Sequence, residues 1–291
     1  MVRKISLAWL ALLVLGGCAS FSPDGGFSDV AKAVQQRTGG EARWLRSDAD
    51  TESVATRVGQ LLAEPIGPEQ AVQVALFNNR GLQAAYAELG ISESERVQAG
   101  RWINPGFSFA RLQRGDELEI ERKFIFDLLA LFTMPRRVAI AQQRFEQIKL
   151  LASADALQVA ADARRAWFEA VAAEQSAQYA AKVEVSAQAG AELAERMARA
   201  GNFSALDRMR EEAFHADAAA QLARTRQNAL AARERLARVL GLADGPAAFK
   251  LPERLPDLPK APREPGALER TALRERLDVQ AALRDAEALA A

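Results

Sequence analysis

The sequence predicts a mainly α protein, built from long alanine-rich antiparallel coiled-coil helices and one short β-hairpin. Alanine recurs at heptad spacing through residues 152–198, inside a proline-free stretch that runs from 136 to 200. Two segments of alternating polarity flank Gly115-Asp116. A heptad repeat of this length is typical of coiled coils, and alternation with a period of two residues is typical of strands.

The composition indicates a folded protein and excludes several functions. The chain has 291 residues, of which 49% are hydrophobic and 26% charged, and its 38 basic and 38 acidic residues cancel. A balanced charge without a basic block gives little support for nucleic-acid binding. One cysteine and one histidine form no metal motif, and the sequence contains no phosphate loop, GxSxG, HExxH or CxxC. We therefore predict no enzyme, no cofactor and no metal.

The first 17 residues have the pattern of a lipoprotein signal peptide. Arg3 and Lys4 precede an apolar stretch that is too short to span a bilayer as a helix. The tetrapeptide Leu15-Gly16-Gly17-Cys18 resembles a bacterial lipobox, which implies cleavage before Cys18 and acylation of its thiol. Ala19 implies sorting to the outer membrane, and several acyl chains anchor more firmly than one. The alternative is an ordinary cleavage site with a chance cysteine.

Two copies of one pattern lie 197 residues apart. Ala75-Leu76 and Gln83-Ala84-Ala85 return as Ala272-Leu273 and Gln280-Ala281-Ala282. The first copy opens with apolar residues at helical spacing over 68–101, and the second is expected to be incomplete at the end of the chain. Six prolines in 243–266 predict an extended crossing segment between the copies.

These features predict five segments along the chain. They are the signal peptide 1–17, the lipid-tethered segment 18–67, the first repeat 68–242, the proline-rich crossing segment 243–266 and the second repeat 267–291. The first repeat is predicted to consist of a helix, the β-hairpin 105–126, the long helix 136–200, the tip 199–207 and the return helix 205–242.

The predicted hairpin has one apolar and one charged face. The apolar face carries Leu118, Ile120, Phe124 and Phe126, although Arg122 interrupts it. The opposite face carries Glu119, Glu121 and Lys123. Strands of about ten residues suit a transmembrane β-structure, but an ordinary half-buried soluble hairpin remains an alternative. A lone hairpin is barely stable in water, so we expect further strands from other subunits.

The long helix has one seam of small residues with alternating steps of four and three. Alanine at most of these positions permits a close approach of a partner helix. The seam consists of Ala152, Ala156, Val159, Ala163, Ala166, Ala170, Ala173, Ala177, Ala180, Glu184, Ala187, Ala191, Ala194 and Ala198. Only Glu184 interrupts the run of small and apolar residues.

The return helix is expected to supply the partner seam with the same steps. The predicted positions are Met209, Ala213, Ala216, Ala220, Ala223, Gln227, Leu230, Glu234 and Ala237. His215, beside this seam, is interpreted as a surface or seam residue.

Capping accounts for part of the tip between the two helices. Gly201 can adopt the left-handed conformation that ends a helix, and Ser204-x-x-Asp207 is a variant of the capping box. Capping explains these three residues without any function. The residues that it leaves unexplained are Arg196, Arg199, Phe203 and Leu206.

Together these features resemble the outer-membrane efflux protein (TolC) family, particularly its lipoprotein members. The resemblance covers essentially the whole chain. Its most recognisable stretches are Phe77-Asn78-Asn79-Arg80-Gly81-Leu82-Gln83-Ala84-Ala85, Trp102-Ile103-Asn104-Pro105, Phe126-Asp127-Leu128-Leu129, Met134-Pro135-Arg136-Arg137 and Arg199-Ala200-Gly201-Asn202.

The resemblance implies a homotrimer in which each subunit gives four strands to one outer-membrane β-barrel, continued by a periplasmic α-barrel. The hairpin would be a transmembrane barrel element whose charged face lines the lumen. The tip would meet a periplasmic adaptor protein that is coupled to an inner-membrane pump. The implied docking residues are Arg196, Arg199, Gly201, Ser204, Leu206 and Asp207.

The sequence departs from the family pattern in one respect. A second hairpin is expected near 302–323 and would lie beyond the sequence, so this chain supplies two strands instead of four. The expectation is therefore a fragment or a truncated gene product, because six strands are fewer than known bacterial barrels contain.

The predicted function is passive export through an outer-membrane channel of a tripartite efflux system, lipid-anchored and extending into the periplasm. One alternative is a periplasmic adaptor, which would need β-rich segments that 18–67 and 243–266 do not show. The other is a non-conducting structural coiled-coil lipoprotein, or a truncated remnant of a channel.

Overall fold

The fold was described from a computed structural model, which describes residues 21–102, 104–242, 249–258, 260 and 268–290, without the side chains of Arg114 and Leu268. These residues fall into two compact units, one drawn from 1–30, 84–154 and 266–291, the other from 31–83 and 155–265. The elements are α1 (Phe27–Thr38), α2 (Asp48–Leu62), α3 (Pro68–Asn78), α4 (Arg80–Ala99), β1 (Gly106–Arg114), β2 (Glu117–Ile125), α5 (Leu128–Arg199), α6 (Ala205–Val239), α7 (Leu268–Glu275) and α8 (Leu277–Ala290).

The predicted fold class is confirmed: long helices dominate, and the two strands form one antiparallel sheet. Among the described residues, no helix combines the length and apolar character needed to cross a membrane. The signal peptide, Cys18 and the segments 243–248 and 261–267 lie outside the described residues.

The long helix α5 begins at Leu128, eight residues before the predicted start, and contains Pro135. The Asp127 carboxylate accepts a hydrogen bond from the Ala130 backbone N–H at 2.9 Å and so caps the first turn. Proline removes one helical hydrogen bond. The Arg137 guanidinium donates to the Ala130 carbonyl at 3.2 Å, which satisfies a backbone acceptor of the same turns.

The predicted seam of α5 is confirmed, because every position from Ala152 to Ala198 on it is buried or half-buried. Side chains of α6 meet α5 in antiparallel order within the second unit. Arg235 forms an ion pair with Glu169 at 2.9 Å. Nearer the tip, the His215 ring nitrogen lies 3.3 Å from the Glu184 carboxylate. The one interruption of the alanine seam is therefore matched by the only histidine of the chain.

The predicted seam of α6 is wrong. Its positions from Met209 to Glu234 are exposed, and only Ala237 is buried. The buried and half-buried positions follow a second column with the same steps, which consists of Arg208, Glu211, His215, Ala218, Leu222, Thr225, Ala229, Ala232 and Leu236. Two heptad columns coexist on this alanine-rich helix, and residue type alone does not show which one faces α5.

The helix predicted over 68–101 is broken at Asn79, whose backbone is extended. This break places two amide side chains on the end of α6. Asn78 donates to the Gly241 carbonyl at 2.8 Å, and Asn79 donates to the Val239 carbonyl at 3.1 Å. The last carbonyls of a helix have no partners within it, so the two asparagines act as its cap.

The second copy of the repeat breaks at the equivalent position. Helices α7 and α8 are separated at Arg276, which is 197 residues after Asn79. Arg276 and Asp278 form an ion pair at 2.5 Å there. The offset found in the sequence thus applies to the helix boundaries as well.

The N-terminal segment packs on α4 and α5 within the first unit. The Ser22 backbone N–H and hydroxyl both donate to the Glu93 carboxylate at 2.6 Å, and Glu93 is almost fully buried. Phe27 contacts Tyr86 edge to face, with the ring centroids 4.9 Å apart. Lys149 binds the Asp29 carboxylate at 2.8 Å. These contacts attach the segment to the helices a few residues after Cys18.

Replacing Glu93 by glutamine is expected to loosen residues 21–38 by about 1–3 kcal/mol, because a buried charge-assisted hydrogen bond is lost. Burial alone would raise the pKa of Glu93, but hydrogen bonds from Ser22 and Arg96 outweigh it and hold this pKa below its ordinary value of 4.5. Because the pKa of Glu93 is lower in the folded than in the unfolded protein, its ionised form stabilises the attachment at pH values above the unfolded-state pKa. This stability is lost as the pH falls through the folded-state pKa. Hydrogen exchange of residues 21–38 measures both effects, and an unchanged exchange rate in the variant would contradict them.

Candidate functional site

The hairpin of β1 and β2 has two chemically different faces. The strands pair in register, with Phe107 opposite Phe124 and Arg111 opposite Ile120. These pairs lie on the apolar face, together with Phe109, Leu118 and Arg122. Phe126 follows the end of β2 and does not belong to this face as predicted.

The second face carries the three charged residues predicted for the lumen. Glu119 lies opposite Leu112, Glu121 opposite Ala110, and Lys123 opposite Ser108. All nine residues of β2 are exposed in the single chain, on both faces alike. An isolated two-stranded sheet is marginally stable, and within the described residues neither face of β2 is covered.

The turn at residues 200–204, which forms the centre of the tip, is held by two caps. The Gly201 N–H donates to the Ala198 carbonyl and the Asn202 N–H to the Met197 carbonyl, each at 3.0 Å, with a φ of 79° at Gly201. This pattern is a Schellman motif. The Ser204 hydroxyl oxygen accepts from the Asp207 N–H at 3.0 Å and donates to its carboxylate at 2.6 Å. The capping roles predicted for these residues are confirmed.

The remaining predicted tip residues present free surface. Arg196 and Arg199 form ion pairs with Glu192 and Glu195 at 3.6 and 3.7 Å, and both guanidinium groups remain largely exposed. Such exposed pairs contribute little to stability. Leu206 is 58% exposed. The structure thus brings all six predicted residues to one end of the helical hairpin, where two cations and an apolar side chain are accessible.

The residues that position these elements do not stand out in the sequence. The roles of Asn78, Asn79 and Glu93 depend on partners more than 70 residues away in sequence. The doublet Asn78-Asn79 within an apolar helical pattern was the available signal. Asparagine is a weak helix former, so the doublet could have indicated a helix end.

No protein-family model matches the sequence, and no curated protein matches it. Solved structures do resemble this protein, over 76% of its chain. A membrane protein from Pseudomonas aeruginosa has a TM-score of 0.61 and 21% identity, with 55% of its own chain covered. The outer-membrane channel OprN has a TM-score of 0.59 and 23% identity, with 53% covered. CusC, described in terms of transmembrane channel formation, has a TM-score of 0.58 and 16% identity, with 54% covered.

The chain therefore has a TolC-family fold, as the resemblance implied. Identities below 25% establish the fold alone. The chain spans about half the length of the solved structures that it matches.

Proposed function

We propose that this chain belongs to an outer-membrane channel of a tripartite efflux system, which passively exports substrates received from a periplasmic adaptor and an inner-membrane pump. The observation that carries the proposal is the exposed hairpin on a helical scaffold with the fold of outer-membrane channels. A channel needs no catalytic group, because the pump supplies the energy.

In this proposal the two faces of the hairpin have different environments. The face with Phe107, Ile120 and Phe124 contacts lipid, and the face with Glu119 and Glu121 lines the lumen. Transmembrane barrels show this alternation of apolar outward and polar inward residues. In a homotrimer the hairpins of both repeats form one barrel, and charged residues at its wall influence which solutes pass.

The exposed heptad column of α6, from Met209 to Glu234, supports assembly. Met209 and Leu230 of this column are each more than half exposed in the single chain. A solvent-exposed column with coiled-coil spacing offers a seam to a further helix. In the proposed assembly, this seam packs on helices of the second repeat or of a neighbouring subunit and closes the wall of the α-barrel.

The proposed anchor is a lipidated Cys18, which places the mature protein in the outer membrane. Ser22, four residues further on, is bound to Glu93. Four residues span at most about 14 Å. The lipid would therefore be attached close to α4, whose C-terminal end leads into the hairpin.

The proposal is tested with the protein extracted from outer membranes by cross-linking, by gel mobility with and without heating, and by conductance in planar bilayers. We expect a trimer that runs anomalously before heating, together with conducting events. A lipid-anchored monomer without conductance would instead support the alternative of a structural coiled-coil lipoprotein or a channel remnant.

Charge reversal at the tip, Arg196→Glu with Arg199→Glu, is expected to weaken adaptor binding about tenfold or more, because exposed arginines often contribute strongly to interfaces. Stability should fall by only about 1–2 kcal/mol, from lost exposed ion pairs and from acidic residues placed in the last turn of α5. Co-purification with a tagged adaptor from the same cells measures the effect. The matched control is Arg224→Glu with Arg226→Glu on the same helical hairpin, and an equal loss in both variants would contradict a docking role for the tip.

A further inference from the structure

A cleft of about 760 Å³ lies between the C-terminal end of α4 and the first turns of α5, at the base of the hairpin. All its walls belong to the first unit. Arg101 and Arg137 supply two cations and Glu95 one anion, while Trp102 and Phe21 supply aromatic walls. The cleft is therefore a basic and partly aromatic site that the channel function leaves unexplained.

The two arginines are not neutralised within the described part of the chain, where neither is within 4.0 Å of a carboxylate. Arg101 is exposed. Arg137 donates one hydrogen bond to the Ala130 carbonyl, and its Nε is buried without a hydrogen-bond partner among the described residues. A guanidinium presents a planar fork of donors that matches the oxygens of a phosphate. The two guanidinium groups therefore supply hydrogen-bond donors that can bind the oxygens of a phosphodiester.

An apolar collar, formed by exposed residues at the start of α5, precedes the cleft residue Arg137 along the helix. Leu128, Leu129 and Phe132 are 61%, 72% and 81% exposed. Arg137 follows Phe132 by five residues, which is about 7.5 Å along a helix. Apolar side chains followed within this distance by basic ones mark the boundary between acyl chains and headgroups of a bilayer.

Two further residues fit this boundary. Trp102 is 64% exposed, and tryptophan is enriched at membrane interfaces. Phe21 forms part of the cleft wall and is three residues after Cys18 in the sequence, a stretch that spans at most about 11 Å. The proposed lipid anchor at Cys18 and a headgroup site in the cleft are therefore compatible with contact to the same membrane surface.

We propose that this cleft binds the headgroup of an anionic phospholipid, with Arg101 and Arg137 on its phosphodiester and its acyl chains along the apolar collar. The inference rests on the proposed function, because it requires the hairpin to lie in a membrane. The bound lipid would fix the depth and tilt of the helices at the inner surface of the outer membrane.

The test uses the full chain with vesicles of phosphatidylcholine, alone or mixed with phosphatidylglycerol. Arg101→Gln with Arg137→Gln is expected to reduce the affinity for the anionic vesicles about 30-fold, since each basic residue near a membrane surface contributes a factor of about five. Binding to neutral vesicles should not change. Arg226→Gln with Arg270→Gln removes two exposed arginines elsewhere and is expected to change the affinity less than twofold.

Tryptophan fluorescence locates the lipid. Brominated phosphatidylglycerol should quench the wild type more than brominated phosphatidylcholine does, and Trp102→Phe should abolish the difference. Equal quenching by both lipids, or an equal loss of affinity in the two double variants, would overturn the headgroup site. A wild type that binds both vesicles alike removes only this inference, whereas one that binds neither also removes the proposed function.

Discussion

Gly241→Ala is expected to lower the free energy of unfolding by about 3–5 kcal/mol. Gly241 has a φ of 72°, which costs about 1–2 kcal/mol for a residue with a side chain. A Cβ at this position would lie 2.3 Å from the Asn78 carbonyl oxygen, so the backbone of α3 must move. That movement also disturbs the amide caps from Asn78 and Asn79 on the end of α6. Thermal unfolding followed by circular dichroism measures the loss.

Gly201→Ala is the matched control for this prediction. Gly201 has a similar φ of 79° and ends α5 with the same Schellman pattern, but nothing lies within 4 Å of its added Cβ. Only the backbone cost of about 1–2 kcal/mol is expected. An equal loss in both variants would show that the close approach between Gly241 and Asn78 contributes nothing.

Ile120→Lys is expected to abolish assembly of the proposed channel. Ile120 lies near the middle of β2 on the apolar face, opposite Arg111. A lysine on the lipid face of a transmembrane barrel costs about 2–4 kcal/mol near the bilayer midplane, and a trimer incurs this cost three times. The yield of heat-modifiable trimer in the outer-membrane fraction is the measurement.

Glu121→Lys is the control for the hairpin, because it places the same charge one residue further on the opposite face. It should leave the trimer yield close to that of the wild type and alter the ion selectivity of the conductance. If both variants assemble equally well, the apolar face does not contact lipid. The soluble-hairpin interpretation would then be favoured.

Local pattern was sufficient for the elements that depend on short-range interactions. Heptad spacing predicted the buried seam of α5, alternation around Gly115-Asp116 predicted the two strands, and Gly201 with Ser204 predicted the turn between the long helices. In each case the determining interactions lie within a few residues, through capping bonds, side-chain periodicity or a positive φ.

Local pattern failed where two solutions have similar energies. The column from Met209 to Glu234 and the buried column of α6 have the same spacing, and the buried column includes the polar residues Arg208, Glu211 and His215. Packing against α5 therefore selects the seam, and residue type does not. Pro135 predicted a helix start, but the Asp127 cap starts α5 at Leu128, and the helix continues through the proline.

The amino-acid sequence by itself determined the helical class, the hairpin and its turn, the offset of 197 residues between the repeats, and the resemblance to a TolC-type channel. Only the tertiary structure decided which face of α6 is buried, how Asn78 and Asn79 cap its end, and how Glu93 binds Ser22. The physical reason is the range of the forces: periodicity and capping act over a few residues, whereas hydrogen bonds and packing between distant segments depend on how the chain folds back on itself.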